Sequence, residues 1–379
     1  MSLPTQTEPE QMPPQRRPPR RRRPPAPTRT ARRRWLLGAE LLIVAVVAAV
    51  ILAIVLSGGR SGHGTRGSRP GTPPTAPRPT AAPPVFAANS VWNEPVPANA
   101  PLLPQSSTYV GELQQEMQGH GEWINTNQYS IPVYTVGANQ PLVPVRLDQS
   151  APGSVDALAR TFAAGVPIPA GAHAAAGTDQ SLVIWQPSRN VEWEFWRAHQ
   201  VNGVWHAYWG GKMTDVSGNP GYFTSPSDWG GSATSLDLLG GLMTFSDLRS
   251  GHIDHALAMA IPTSAQGRFV YPAQRGDGHD SSPSAIPEGT RFRLNPNLNI
   301  DALHLPPLTR MMALAAQRYG IIVRDQAGSI SFYGQDPTPT GTDPYSGPHG
   351  LFDGLAPDKL LQAFPWSQLQ VVDPSWNRH

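Results

Sequence analysis

The 379-residue chain contains no cysteine. Disulfides, thiolate nucleophiles and cysteine-ligated metal sites are therefore excluded, and a folded domain must be stabilised by its own core. Ten arginines and only two acidic residues lie in residues 1–34, whereas 15 basic and 24 acidic residues follow position 85, a balance of −9. The part that can fold is thus acidic, which argues against a nucleic-acid-binding protein despite a sequence pI of about 9.0.

Two segments of low complexity precede the part that can fold. Residues 1–34 consist largely of Pro, Gln and Arg, and they predict a disordered basic tail because they lack the apolar residues of a core. Residues 58–85 contain seven prolines among Gly, Ser, Thr and Arg, and they predict an extended linker. Residues 86–379 remain as the candidate domain.

Residues 35–57 predict a transmembrane helix between the tail and the linker. The apolar run Trp35–Leu56 is interrupted only by Glu40 and is long enough to cross a hydrocarbon core of about 30 Å. The arginines before it should stay in the cytoplasm, which places the C-terminal domain outside the cell. Residues 32–36 also resemble a twin-arginine export signal, but no small-residue cleavage site follows, so a retained single-pass anchor in the cell membrane is favoured.

The candidate domain has the pattern of a mostly β protein. Short strands are separated by Pro, Gly and Asn without strand–helix alternation, which predicts an antiparallel β-sandwich or jelly roll with a few short helices. Helices are expected at 109–117, 232–239, 244–249, 308–319 and 357–363. A hairpin is expected between strands at 321–324 and 329–333.

The stretch 251–262, Gly-His-Ile-Asp-His-Ala-Leu-Ala-Met-Ala-Ile-Pro, combines two histidines and an aspartate with an apolar run. Its composition also suits a helix bounded by Gly and Pro, but a strand is favoured. In a strand, one face carries Ile253, His255, Leu257, Met259 and Ile261, and the other carries His252, Asp254 and three alanines. The sequence thus predicts a buried strand with ionisable side chains at one end.

An aromatic meander covers residues 181–211. Asn202-Gly203 predicts a type I′ turn. The register that follows pairs Val201 with Val204, Gln200 with Trp205, Ala198 with Ala207, Trp196 with Trp209 and Glu194 with Gly211.

Six of the 11 tryptophans lie between positions 185 and 229. Flat aromatic surfaces beside carboxylates and amides are typical of sugar-binding sites, although strand tryptophans are also typical of cores. Trp196, Trp205 and Trp209 are therefore candidate sugar-stacking residues. Glu192 and Glu194 share one face about 6.5 Å apart along the strand, a spacing suited to the carboxyl pair of a glycoside hydrolase, although acids on one strand face are also common on solvent-exposed surfaces.

The sequence assigns no cofactor and no metal ion. Asp277, His279 and Asp280 lie in a loop rich in oxygen ligands, but the spacing lacks the bidentate Glu of a helix-loop-helix calcium site, so a solvated turn is favoured. No Gly-x-Ser-x-Gly motif is present, which sets serine-hydrolase chemistry aside.

Several motifs occur in a fixed order between positions 160 and 325. They are Val191–Ala198, Trp209-Gly210-Gly211, Gly251–Pro262, Tyr271-Pro272-Ala273, Ile286–Arg291 and Gln317-Arg318-Tyr319-Gly320 before Asp325. As a set they resemble a group of secreted actinobacterial and fungal proteins that are largely uncharacterised. The resemblance implies a concanavalin-like β-sandwich of the kind found in polysaccharide lyases. It also implies Asp-Gly-His near position 179, where this chain has Asp179-Gln180-Ser181.

The leading hypothesis is a membrane-anchored, extracellular, glycan-active enzyme that acts on polysaccharide. For a lyase on a uronic-acid polymer, His255 or His252 would be the base and Tyr271 the acid, with Arg197 holding the carboxylate.

For a hydrolase, Glu194 and Asp254 would be the acid–base pair. One alternative is a non-catalytic carbohydrate-binding or cell-wall-associated module that uses the same aromatic surface. Another is a structural exported domain in which His255 is a core histidine bonded to a backbone carbonyl. The enzyme hypothesis requires the histidines and acids to meet in one groove.

Overall fold

The computed structural model describes residues 85–150 and 153–377. These residues are mostly β, with thirteen strands in three sheets and five α-helices. The strands are β1 (Glu122–Asn125), β2 (Val133–Thr135), β3 (Val145–Leu147), β4 (Leu182–Gln186), β5 (Val191–Trp196), β6 (His199–Val201), β7 (Val204–Ala207), β8 (Trp209–Thr214), β9 (Leu257–Ile261), β10 (Arg291–Leu294), β11 (Ile321–Gln326), β12 (Ile330–Tyr333) and β13 (Leu369–Val371). The helices are α1 (Ser106–His120), α2 (Ser154–Ala163), α3 (Phe245–Ser250), α4 (Pro307–Arg318) and α5 (Pro357–Gln362).

The largest sheet has six strands in the order β1-β12-β9-β11-β10-β13, beside a four-stranded sheet, β2-β4-β5-β8, and a three-stranded sheet, β3-β7-β6. The pairs β1/β12, β9/β11, β2/β4 and β3/β7 are parallel. The prediction of an antiparallel arrangement is wrong for these pairs. Parallel partners are joined by long connections, which no local turn signal reveals.

Strand β9 lies inside the six-stranded sheet and is completely buried. Its two faces divide as the alternation predicts. Leu257, Met259 and Ile261 pack in one hydrophobic cluster, whereas the alanines between them pack in another. Residues 251–256 are not part of the strand, which begins only at Leu257. Gly251 ends α3 with a φ of 81°, and the residues after it connect that helix to β9. Since β9 separates β11 from β12, the predicted hairpin between those two strands is wrong.

The turn at Asn202-Gly203 forms as predicted, with φ values of 51° and 79°. Four of the five predicted pairs are confirmed: Val201/Val204 and Gln200/Trp205 beside the turn, and Trp196/Trp209 and Glu194/Gly211 further along. The predicted Ala198/Ala207 pair is not part of either ladder. Between them the ladder breaks, because Arg197 adopts a φ of 56° and turns the chain. Strands β5 and β8 therefore belong to one sheet and β6 and β7 to another.

Four of the five predicted helices are present, with ends shifted by a few residues. In α3, the side chain of Thr244 accepts a hydrogen bond from the Asp247 N–H and the Asp247 side chain accepts one from the Thr244 N–H, which forms a capping box. The predicted helix at 232–239 is wrong. There the hydroxyl groups of Ser232 and Thr234 donate to backbone carbonyls and stabilise an irregular loop instead.

Within the described ranges, no helix has the length and apolar character needed to cross a membrane. The predicted tail, membrane helix and all but the last residue of the linker lie outside those ranges.

Candidate functional site

The candidate site is a cavity of about 660 Å³, within the range of about 300–1,000 Å³ that is common for small-molecule sites. Its walls come from the facing ends of β5 and β8, from β11 and β12, and from several loops. Its chemically informative lining residues are Tyr129, Ser154, Asp179, Trp196, Trp209, Asp228, Arg275, Asp277, Arg324, Asp325 and Tyr333. Aromatic rings and charged groups therefore share one concavity.

Two tryptophans form the aromatic wall. Trp196 and Trp209 face each other across the β5–β8 ladder. Trp209 is only 8% exposed, and its indole N–H donates to the Asp228 carbonyl oxygen at 2.9 Å. Trp196 is less buried, and its indole N–H donates to Asp179 Oδ1 at 3.4 Å. Trp196 is therefore more accessible to a ligand than Trp209.

Arg275 supplies a positive charge among the acids of the cavity. Its Nη2 donates to the Ser232 carbonyl at 2.7 Å. Burial lowers the pKa of this guanidinium, and the charges of Asp228 and Asp325 act in the opposite direction. An arginine never loses its proton under ordinary conditions, so Arg275 is a fixed cation that interacts with both carboxyl groups.

Asp325 is the carboxyl group of the cavity whose titration is most displaced. Burial, followed by the negative charge of Asp277, raises its pKa to about 7. The backbone N–H groups of Gln326 and Ala233 donate to it at 2.9 and 3.2 Å and partly oppose this rise. A substantial fraction of Asp325 is therefore protonated near neutral pH, the state that a general acid needs.

Asp228 is a second carboxyl group in the wall. The hydroxyl of Ser154, the first residue of α2, donates to its Oδ2, and its backbone carbonyl holds the ring of Trp209. The first contact holds the carboxyl group, and the second holds the Asp228 backbone beside Trp209.

Beneath the cavity lie three further acids, Glu192, Glu194 and Asp237, each 0% exposed. Their carboxylate oxygens approach within 4.8 Å of one another. Burial and mutual repulsion raise the pKa of Glu192 and of Asp237 well above the usual range. Glu194 accepts hydrogen bonds from the backbone N–H groups of Gly231 at 2.5 Å and Leu238 at 2.7 Å. Glu194 therefore anchors the loop that forms the cavity floor.

His255 and Asp254, two residues of the predicted catalytic set, line a different cavity of about 450 Å³. His255 Nδ1 donates to the Ala256 carbonyl at 2.8 Å, and Nε2 lies 3.4 Å from Asp247 Oδ2. Burial lowers the pKa of this imidazole, but the hydrogen bond and the charge of Asp247 raise it by a larger amount, so the net shift is upward. Because Nδ1 bonds to a backbone carbonyl and Nε2 faces Asp247, this imidazole has no free ring nitrogen with which to act as a base. His252 is partly buried in the turn before it.

Tyr271 lines neither of these cavities. Its ring packs edge-on against Tyr222 at 6.0 Å, and burial raises its pKa to about 12. Trp205 is 8% exposed in the β6–β7 hairpin, outside the residues that line the larger cavity. The guanidinium of Arg197 stacks on the rings of Trp196 and Tyr208, at 5.5 and 5.4 Å.

The structure therefore brings together only part of the predicted site. Trp196 and Trp209 lie in the larger cavity and Glu194 lies under it, but the histidines and Tyr271 lie elsewhere. Asp228, Arg275 and Asp325 were not predicted as site residues from the sequence. Each lies about 50 residues from the next along the chain and they share no motif, so the sequence carries no signal that they line one cavity.

Comparisons with models of known protein families, with curated proteins and with solved structures find no match. The resemblance to secreted actinobacterial and fungal proteins therefore stays a prediction, and the function must be argued from the cavity itself.

Proposed function

We propose that the cavity binds a saccharide chain and that Asp325 and Asp228 hydrolyse a glycosidic bond there. The observation that carries the proposal is one concavity holding Trp196 and Trp209 together with two carboxyl groups and Arg275. Sugar rings stack their C–H faces on indoles, while their hydroxyl groups bond to carboxylates and guanidinium groups.

In this proposal the two carboxyl groups have different roles because their surroundings differ. Asp325, with its pKa raised to about 7, donates its proton to the glycosidic oxygen as the bond to the anomeric carbon breaks. Asp228, held by Ser154, has one of two roles. It removes a proton from the attacking water, or it attacks the anomeric carbon itself to form a glycosyl ester, which a water activated by the deprotonated Asp325 then hydrolyses to free Asp228. Arg275 stabilises the negative charge of Asp228 in the resting state.

Hydrolysis is favoured over the lyase mechanism. A lyase would use His255 or His252 with Tyr271 around one sugar, and these side chains do not share a cavity in the described part of the chain. No histidine lines the larger cavity among those residues, whereas four aspartates do. A non-catalytic carbohydrate-binding module is the second candidate, since the aromatic wall and Arg275 alone suffice to hold a sugar.

The experiment is a turnover assay of the full-length chain on cell-wall and uronic-acid polysaccharides, following both reducing ends and the absorbance of unsaturated products. We expect reducing ends without unsaturated product. Asp325→Asn and Asp228→Asn should each lower the rate by at least about 100-fold. Asp353→Asn changes an exposed aspartate outside the cavity and is the matched control.

Binding separates the two candidates. Trp196→Ala should weaken oligosaccharide affinity by at least about tenfold, as removal of a stacking aromatic commonly does. Trp123→Ala removes a tryptophan that is 44% exposed and lies on β1, and it should leave the affinity unchanged. Binding without turnover would favour the non-catalytic module, and neither binding nor turnover would contradict both.

We also propose that residues 35–57 anchor the protein in the cell membrane with the domain outside. The support is the apolar run preceded by arginines. In intact cells, an external protease should release the domain, and alkaline carbonate should leave the chain in the membrane fraction. Recovery of the chain in the soluble cytoplasm would contradict this.

A further inference from the structure

A cluster of imidazole and carboxylate groups lies on the three-stranded sheet, outside the lining of the larger cavity. His199 on β6 and His206 on β7 are directly opposed partners in the ladder, so both side chains project from the same face. Their rings are 5.5 Å apart at the centroids. Asp148 follows β3, and its N–H donates to the Ala207 carbonyl at 2.9 Å, which extends the β3–β7 pairing to this residue. The side chains of Asp148, His199 and His206 therefore lie close together on one face of this sheet.

The ligand atoms already have nearly the spacing of a coordination sphere. His206 Nδ1 donates a hydrogen bond to Asp148 Oδ1 at 2.7 Å, and His199 Nε2 lies 3.7 Å from Asp148 Oδ2. A divalent ion would displace the proton on Nδ1 and take its place between the two side chains. One ligand atom from each residue falls within 4.8 Å of the others. Ligands about 2.0–2.2 Å from a tetrahedral Zn²⁺ are about 3.4 Å from each other, so small side-chain rotations would complete the geometry.

The second ring nitrogen of His199 is held in the way that metal ligands usually are. Its Nδ1 lies 3.0 Å from the Arg197 carbonyl oxygen. A carbonyl can only accept a hydrogen bond, so Nδ1 carries a proton and Nε2 is the ring nitrogen that faces Asp148 and can bind a metal ion in the neutral imidazole. Such an outer hydrogen bond fixes the tautomer and orientation of a metal-binding histidine. The positive φ of Arg197, 56°, is the turn that brings this carbonyl under the ring.

We propose that Asp148, His199 and His206 bind a divalent transition-metal ion, for which Zn²⁺ is the best chemical fit. Two imidazole nitrogens and one carboxylate suit Zn²⁺, whereas Ca²⁺ and Mg²⁺ prefer oxygen ligands alone. Three protein ligands leave a fourth position for water. All three side chains are partly or fully accessible, so the ion can enter from solvent. The ion would link β3, β6 and β7, and the proposal is independent of the glycan hypothesis.

The test measures Zn²⁺ binding by the full-length chain, without a polyhistidine tag and after treatment with a chelator, by isothermal titration calorimetry. We expect one Zn²⁺ per chain. His199→Ala, His206→Ala and Asp148→Asn should each weaken binding by at least about tenfold. His349→Ala, which changes an exposed histidine elsewhere, is the matched control and should leave binding unchanged.

A second measurement does not depend on variants. In the wild-type chain, Zn²⁺ should protect His199 and His206 from modification by diethyl pyrocarbonate, read by peptide mass spectrometry, while His349 stays reactive. Co²⁺ in place of Zn²⁺ should give the visible absorption of a four-coordinate site. Failure of the wild-type chain to bind Zn²⁺ with 1:1 stoichiometry, or protection of other histidines instead of these two, would overturn the proposal.

Discussion

Glu194 and Asp325 are both carboxylic acids near Arg275, but only Asp325 is accessible from the cavity. Glu194 is 0% exposed, and its carboxylate accepts hydrogen bonds from two backbone N–H groups of the loop 230–238. Its role is therefore to hold that loop in place. Asp325 also accepts two backbone N–H groups, but it faces the cavity. Strand alternation correctly placed Glu192 and Glu194 on one face of β5. It could not show that residues 230–238 cover that face, because the covering loop comes from elsewhere in the sequence.

His255 provides a prediction that separates stability from chemistry. His255→Ala removes the hydrogen bonds to the Ala256 carbonyl and to Asp247, and it should lower the free energy of unfolding by about 1–3 kcal/mol. The pKa of His255 is raised in the folded state. The part of its stabilisation that depends on the charged imidazolium is therefore complete below the unfolded pKa of 6.5 and is lost as pH rises through the folded pKa. Denaturant unfolding at several pH values measures it.

The control for this variant is His279→Ala, which changes an exposed histidine and should stay within about 0.5 kcal/mol of wild type. Glycan cleavage by the His255→Ala protein, assayed below its melting temperature, should equal that of wild type. A specific loss of cleavage with unchanged stability would instead support the original hypothesis of a histidine base.

Among the structural elements, local signals predicted local structure and little else. Asn202-Gly203 fixed the β6–β7 register because a two-residue turn needs two positive φ values, and Thr244 with Asp247 fixed the start of α3. The insertion of β9 between β11 and β12 had no such signal. Its partners lie 64 to 73 residues further along the chain. The apolar residues of β9 indicate burial on both faces, but they do not identify the neighbouring strands.

Gly241 and Gly251 are a matched pair for testing how closely a loop packs on β9. Both have positive φ values, 70° and 81°. A Cβ at Gly241 would lie 2.3 Å from the Ala258 nitrogen and 2.7 Å from the Trp92 ring, whereas a Cβ at Gly251 would meet no atom within 4 Å. Gly251→Ala should therefore cost only the backbone strain of about 1–2 kcal/mol.

Gly241→Ala adds overpacking against β9 to the same strain, so its total cost should be about 2–5 kcal/mol. Urea unfolding of the two variants gives the comparison. Equal losses of stability would mean that the loop can move away from β9 without penalty, and would contradict the packing described for this strand.

Across the whole molecule, the larger cavity is assembled from residues between Tyr129 and Tyr333. Composition indicated an acidic domain with clustered tryptophans, and those properties do reappear in the cavity wall. The particular acids could not be chosen from the sequence, because Asp228, Arg275 and Asp325 meet only after distant segments have packed. The same packing buries several carboxyl groups with raised pKa values, so stability of the entire fold is coupled to pH.

Glu288 gives the sharpest test of that coupling. It is 1% exposed, and its Oε2 accepts a hydrogen bond from the Asp277 N–H at 3.0 Å. Burial and the charges of Asp277 and Asp325 raise its pKa from 4.5 to about 8. Between these values the folded protein holds a proton that the unfolded chain has lost. Stability should therefore fall as pH rises through this window, by at most about 1.4 kcal/mol per pH unit from this group.

Glu288→Gln keeps the acceptor oxygen for the Asp277 N–H and removes the titration. From about pH 5 to about pH 8, the melting temperature of the variant should fall less than that of wild type, so that the variant is the more stable protein at the alkaline end. Asp353→Asn, at an exposed position, should reproduce the wild-type profile. Parallel profiles for wild type and Glu288→Gln would mean that Glu288 is already ionised in the folded protein, and that Asp277 and Asp325 lie beside a charge rather than a neutral acid.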